Sequence, residues 1–175
     1  DTDTQTGTKQ VMYSGGAYGG DTLFDDAAWT AGIKRIHLTG DSDVVASKSL
    51  RQRGVKAVQV PKDKLAHARE QIKKLIGRTL QDNFVGNLHA RNYYQVKDAD
   101  AVYAVAPMRK DSKGVTGGTD TAVQVGIALG KEVYVWDTNT LQWYSWDGSK
   151  FVTSGLPPLR AKFAGVGTRD VEAYT

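Results

Sequence analysis

No cysteine occurs among the 175 residues. That absence excludes a disulfide scaffold, a Cys-ligated zinc site and thiol catalysis, and it leaves the compartment open. No apolar run is long enough to cross a bilayer and no signal-peptide pattern is present. The expectation is a soluble, cytoplasmic protein with no membrane partner. The three histidines, His37, His67 and His89, lack metal-ligand spacing. No metal and no cofactor is expected. There is no internal repeat and no second domain. What remains is an ordinary globular mixture, 40% hydrophobic and 24% charged, of a length that suits one domain with a real core. A net charge of +4 suits an anionic ligand without identifying one.

The chain is organised around Val11 to Asp21. A short apolar strand runs into Ser14-Gly15-Gly16-Ala17-Tyr18-Gly19-Gly20-Asp21, and a helix is expected at once, over about 21–31. Glycines let a backbone turn tightly and approach a ligand. A helix start adds unpaired amides and the positive end of a dipole, which favour an anion such as phosphate. A second loop of the same kind, Thr116-Gly117-Gly118-Thr119-Asp120-Thr121, separates a strand at 101–106 from a helix reaching Leu129. Asp120 is read with equal weight as a cap of that helix and as a ligand residue.

Residues 1–9 read as a loose polar leader, and strands are expected at 10–13, 33–38, 55–60, 101–106, 132–136 and 162–166. Helical spacing of Leu65, Ala68, Ile72, Leu75 and Ile76 predicts a helix over about 62–77, with a basic outer face. A further helical piece over about 87–96 carries His89, Arg91 and Asn92. Ala101 to Ala106 has no polar alternation, as expected of a central parallel strand covered on both faces. The 108–114 segment reads as a charged, flexible loop. A hairpin appendage spans 141–153, its turn assigned to Asp147-Gly148. Strands alternating with helices imply a Rossmann-like α/β fold: a parallel sheet with helices on both faces, plus the C-terminal aromatic hairpin. Ligands of such sheets bind beyond the carboxyl ends of the strands, where both Gly-rich loops should meet.

These motifs resemble the SLOG superfamily, which includes the LOG (Lonely Guy) phosphoribohydrolases, DprA and YspA-like proteins. Ser14 to Asp21 resembles its Gly-Gly-Ala-x-Gly-x-Asp motif, and Thr116 to Gln124 resembles the LOG motif Pro-Gly-Gly-x-Gly-Thr-x-x-Glu. Arg91 matches the position of the arginine of the LOG Arg-Lys element. Gly165-Val166-Gly167-Thr168-Arg169 resembles the Gly-Ser/Thr-Arg turn of YspA-like and DprA-like proteins. In the family that turn precedes the Gly-Gly-Ala loop, whereas here it comes last. The order implies a circular permutation or a missing continuation, and the strand at 162–166 should then lie beside the first strand. Thr116 replaces the family proline, Asp120 the third glycine and Gln124 the glutamate. The resemblance implies a ligand site built from Ser14, Gly15, Gly16, Ala17, Gly19, Asp21, Arg91, Thr116, Gly117, Gly118, Thr119, Asp120, Thr121, Gly167, Thr168 and Arg169. It also implies a homodimer or higher homo-oligomer.

Three functions compete. The first is binding of a nucleotide-derived, phosphate-containing ligand, such as an ADP-ribose-like or cyclic nucleotide signal, for sensing or sequestration. The second is an N-glycosidase acting on a nucleoside 5′-monophosphate, with Arg91, Asp21 and Asp120 as catalytic candidates. Gln124 opposes it, because a carboxylate stabilises the positive charge that builds on the ribose and an amide does not. The third, a DNA-binding module, has least support: the basic residues are scattered and no stacking aromatics interleave them.

Overall fold

The computed structural model of the protein describes residues 10–14, 31, 33–39 and 56–167. Eight strands form one sheet: β1 (Val11–Ser14), β2 (Lys34–Thr39), β3 (Lys56–Gln59), β4 (Ala101–Ala106), β5 (Glu132–Asp137), β6 (Gln142–Trp146), β7 (Phe151–Thr153) and β8 (Lys162–Gly167). Their order across the sheet is β3-β2-β1-β8-β4-β5-β6-β7. The six strands from β3 to β5 are parallel. The hairpin β6–β7 continues the sheet in antiparallel fashion. The fold is α/β and Rossmann-like.

The last strand lies in the middle. β8 sits between β1 and β4, with Met12 level with Phe163 and Val105 level with Gly167. It therefore occupies the place beside the first strand expected for 162–166. It also runs through Gly167, so Gly165 and Val166 belong to the strand rather than to a turn, and both are buried.

Three helices fall within the described residues: α1 (Lys62–Ile76), α2 (Phe84–Lys97) and α3 (Thr119–Ala128). They pack on one another against a single face of the sheet. Val102, Ala104, Ala106, Val133, Val135, Ala164 and Val166 point into that layer, where they meet Leu65, Ala68, Ile72, Ala90, Tyr93, Val96, Ala122 and Val123. Met12, Ala101, Tyr103 and Phe163 form a second cluster on the opposite face, with Tyr134 and Trp143 packed against it. The alternation along β4 thus feeds two cores, which explains a strand without polar positions. Of the helix expected at 21–31, all but Ala31 lies outside the described residues.

Several local expectations shift. α1 ends at Gly77, whose φ of 70° is the left-handed closure glycine permits. α2 begins three residues before the periodicity predicts, because the Asn83 side chain accepts from the Gly86 amide at 2.8 Å and caps it. The hairpin turn spans 147–150 rather than two residues. The Asp147 amide donates to the Lys150 carbonyl, and its carboxylate accepts from the Ser149 and Lys150 amides. Those two bonds hold the Asp147 carboxyl below its ordinary pKa. The aromatic residues of the hairpin serve packing: Tyr144 and Trp146 pack on the core, Phe151 is buried, and Trp143 meets Trp136 edge to face at 5.6 Å.

The 154–161 strap then carries the chain back across the second face. Tyr103 Oη donates to the Pro158 carbonyl and accepts from the Arg160 amide, while Arg160 pairs with Glu132 at 2.9 Å. No helix of the described residues is long and apolar enough to cross a membrane.

Candidate functional site

Because β1, β8 and β4 are neighbours and parallel, the chain leaves Ser14, Gly167 and Ala106 at the same edge of the sheet. Gly15, Gly16, Ala17, Gly19, Asp21, Thr168 and Arg169 lie outside the described residues. The described part of the candidate site is therefore the connection from β4 to α3.

That connection is a closed structure, not the flexible loop its charge predicts. Met108 and Val115 form an antiparallel bridge, Arg109 donates to the Gly114 carbonyl at 2.9 Å and Thr116 donates to the Pro107 carbonyl at 2.9 Å. Ser112 accepts from the Phe151 amide, which ties the tip to β7. Gly114 lies close against three side chains of this region. A Cβ there would press on Asp120 Oδ1 and lie 2.6 Å from Gln124 Nε2 and 2.7 Å from Arg109 Nη2.

Asp120 is the hub. Its residue is 5% exposed, and each carboxylate oxygen is engaged. Oδ1 accepts from the Val115 amide at 3.0 Å and from Gln124 Nε2 at 3.1 Å. Oδ2 accepts from Arg78 Nη2 at 2.9 Å and stands 3.8 Å from Arg109 Nη1. Arg78 reaches the same helix turn twice, donating also to Thr121 Oγ1 at 2.9 Å. Asp120 is thus not the N-cap of α3. Gly118 holds that position and brings no side-chain cap. Asp120 and Thr121 are spent on internal partners, whereas Thr116, Gly117 and Gly118 are exposed.

Gly117 adopts φ of 81°, a conformation that disfavours any side chain. The Asp120 and Thr121 amides turn back to the Gly117 and Gly118 carbonyls at 3.2 Å. The Gly118 and Thr119 amides bond to no carbonyl among the described residues. His89 of α2 closes one side: a Cβ on Gly118 would lie 2.6 Å from its Nε2. Burial lowers the His89 pKa, and Arg78 and then Arg91 lower it further. Arg91 is buried, at 8% exposure.

No family model matches the chain, and no curated protein matches it. Among solved structures, a pyridoxal 5′-phosphate-dependent aspartate racemase aligns with 12% identity and a TM-score of 0.28. The alignment covers 94% of this chain, which spans 60% of the length of that one. A likeness at that TM-score carries no argument about site or function.

Arg78 and Arg109 are the residues that sequence reasoning missed. Arg78 reads as one cation of a basic helix face, and no local signal announces a partner 42 positions away. Gln124 has a defined task as a donor, to Asp120 and to the Lys113 carbonyl at 2.8 Å. Gln124→Glu would replace that donor with a second carboxylate beside Asp120. It should cost about 1–3 kcal/mol of stability at neutral pH. The crowded pair would have a raised folded-state pKa, so the loss should shrink as pH falls through the carboxylate range. Urea titrations at both pH values measure this, and a stability unchanged at neutral pH would refute the donor role.

Proposed function

We propose that the protein binds a nucleotide-derived, phosphate-containing ligand at the carboxyl edge of the sheet and leaves its glycosidic bond intact. The observation that carries the reading is the 116–119 loop. It combines a positive-φ glycine, two amides without carbonyl partners at the start of α3, and guanidinium groups close by. β1 ends at the same edge and the sequence that follows it is also Gly-rich, which supports a shared ligand.

The enzymatic alternative needs a free carboxylate near the sugar. Asp120 is bound to Arg78, Val115 and Gln124, and Gln124 supplies an amide, so this alternative falls to Asp21, which lies outside the described residues. Two of the cations on which the DNA-binding alternative rested have carboxylate partners within the protein, Arg69 with Asp82 and Arg78 with Asp120. A homo-oligomer belongs to the same reading, with exposed Leu141 beside the aromatic hairpin as its support.

Calorimetry with a nucleotide panel, paired with chromatography of bound and released species, tests the reading. Arg91→Ala should weaken the bound nucleotide by about 1–3 kcal/mol, the range for a charge-assisted hydrogen bond. Unchanged affinity would make Arg91 purely structural. Sustained release of adenine from AMP would replace binding with catalysis.

A further inference from the structure

His89 is half-buried, its Nε2 abuts Gly118, and no hydrogen bond of either ring nitrogen is found among the described residues. We propose that His89 reads the charge of the ligand, binding a terminal phosphate monoester as an imidazolium and taking up a proton as the dianion docks beside Gly118. This rests on the reading of the 116–119 loop as the phosphate end of the site.

The surroundings of the ring supply the reason. Arg78 faces it from the α1–α2 connection and Arg91 from α2 itself. The carboxylate on the α3 side, Asp120, is held by Arg78, Val115 and Gln124. On α1, Arg69 is bound to Asn87. Burial first, and then the nearby Arg78 and Arg91 guanidinium groups, hold the pKa of the ring in the free protein below the ordinary 6.5. A phosphate monoester is close to doubly charged at neutral pH. It would offset the guanidinium repulsion and give the ring an acceptor, so the bound ring gains a proton. A phosphodiester carries a single charge and does less of both. The site should therefore prefer a terminal monoester to a cyclic nucleotide.

The sign of the linkage follows. The bound state holds more protons, so affinity rises as pH falls from the bound-state pKa toward the free one. Calorimetry of the whole chain with AMP and with cyclic AMP, in two buffers of different ionisation enthalpy, reads proton uptake directly. AMP should bind with uptake and gain up to about tenfold in affinity per pH unit lowered, measured above the monoester's own pKa of about 6. Cyclic AMP should show little of either. His89→Gln should abolish uptake and pH dependence with AMP. AMP binding without uptake, or uptake unchanged in His89→Gln, would overturn the proposal and leave the phosphate site standing. Absence of binding by both nucleotides would overturn the site reading itself. Should the variant fail to fold, an NMR titration of the His89 ring with and without AMP decides, and an unmoved pKa refutes the proposal.

Discussion

Asp120→Ala is expected to lower the unfolding free energy by about 3 kcal/mol, toward the lower end of the range for breaking a buried ion pair. For a chain of this size that corresponds to a fall of roughly 6–12 °C in Tm. The side chain is 6% exposed and ties Arg78, 42 positions earlier, to its near neighbours Val115 in the β4–α3 connection and Gln124 on α3. Removing it strands the Val115 amide and leaves the Arg78 and Arg109 guanidinium groups facing each other. Arg78 is 37% exposed, and water offsets part of that loss, which is why the estimate stays low in the range. Asp120→Asn keeps an acceptor for Val115 and loses only the charge, so it should cost less than alanine. Denaturant titration of the two variants gives the comparison. A cost under about 1 kcal/mol for alanine would mean the hub is not holding the connection in place.

Gly86→Ala is expected to be destabilising by about 2 kcal/mol, although helix propensity alone predicts a gain of up to about 1 kcal/mol. Gly86 lies in the first turn of α2, buried, with its amide bound to Asn83 Oδ1. A Cβ there would overlap the Gln81 carbonyl oxygen and come within 2.9 Å of the Gln81 carbonyl carbon and 3.1 Å of its amide nitrogen. All three atoms are backbone, so no side chain can swing aside. Relief requires moving the 81–83 segment or the first turn of α2, and His89 stands one turn further along. The variant should therefore also weaken nucleotide binding. A rise in Tm would show that the backbone approach yields cheaply.

Much of this architecture was legible from local pattern. The unbroken apolar run at 101–106, the helical spacing in 62–76 and the glycine at 77 each act within a few residues. Period and punctuation therefore predict them. The second Gly-rich loop was legible for the same reason, because turning from strand to helix start is a local demand. The place of β8 beside β1 was anticipated only through the resemblance of the motifs to SLOG proteins, since strand pairing across 151 positions leaves no periodic trace. The roles within the site were decided by tertiary structure. Asp120 reads equally as cap, ligand or acid until Arg78 arrives from 42 positions away to claim it. Gln124 looks like a lost carboxylate until its amide is seen bridging Asp120 and Lys113. The physical reason is that a side chain's chemistry is set by the partners and burial that the fold brings to it: Arg78 reaches Asp120 from a distant segment, and Gln124 gains its acceptors only once the 108–118 connection has folded back on α3.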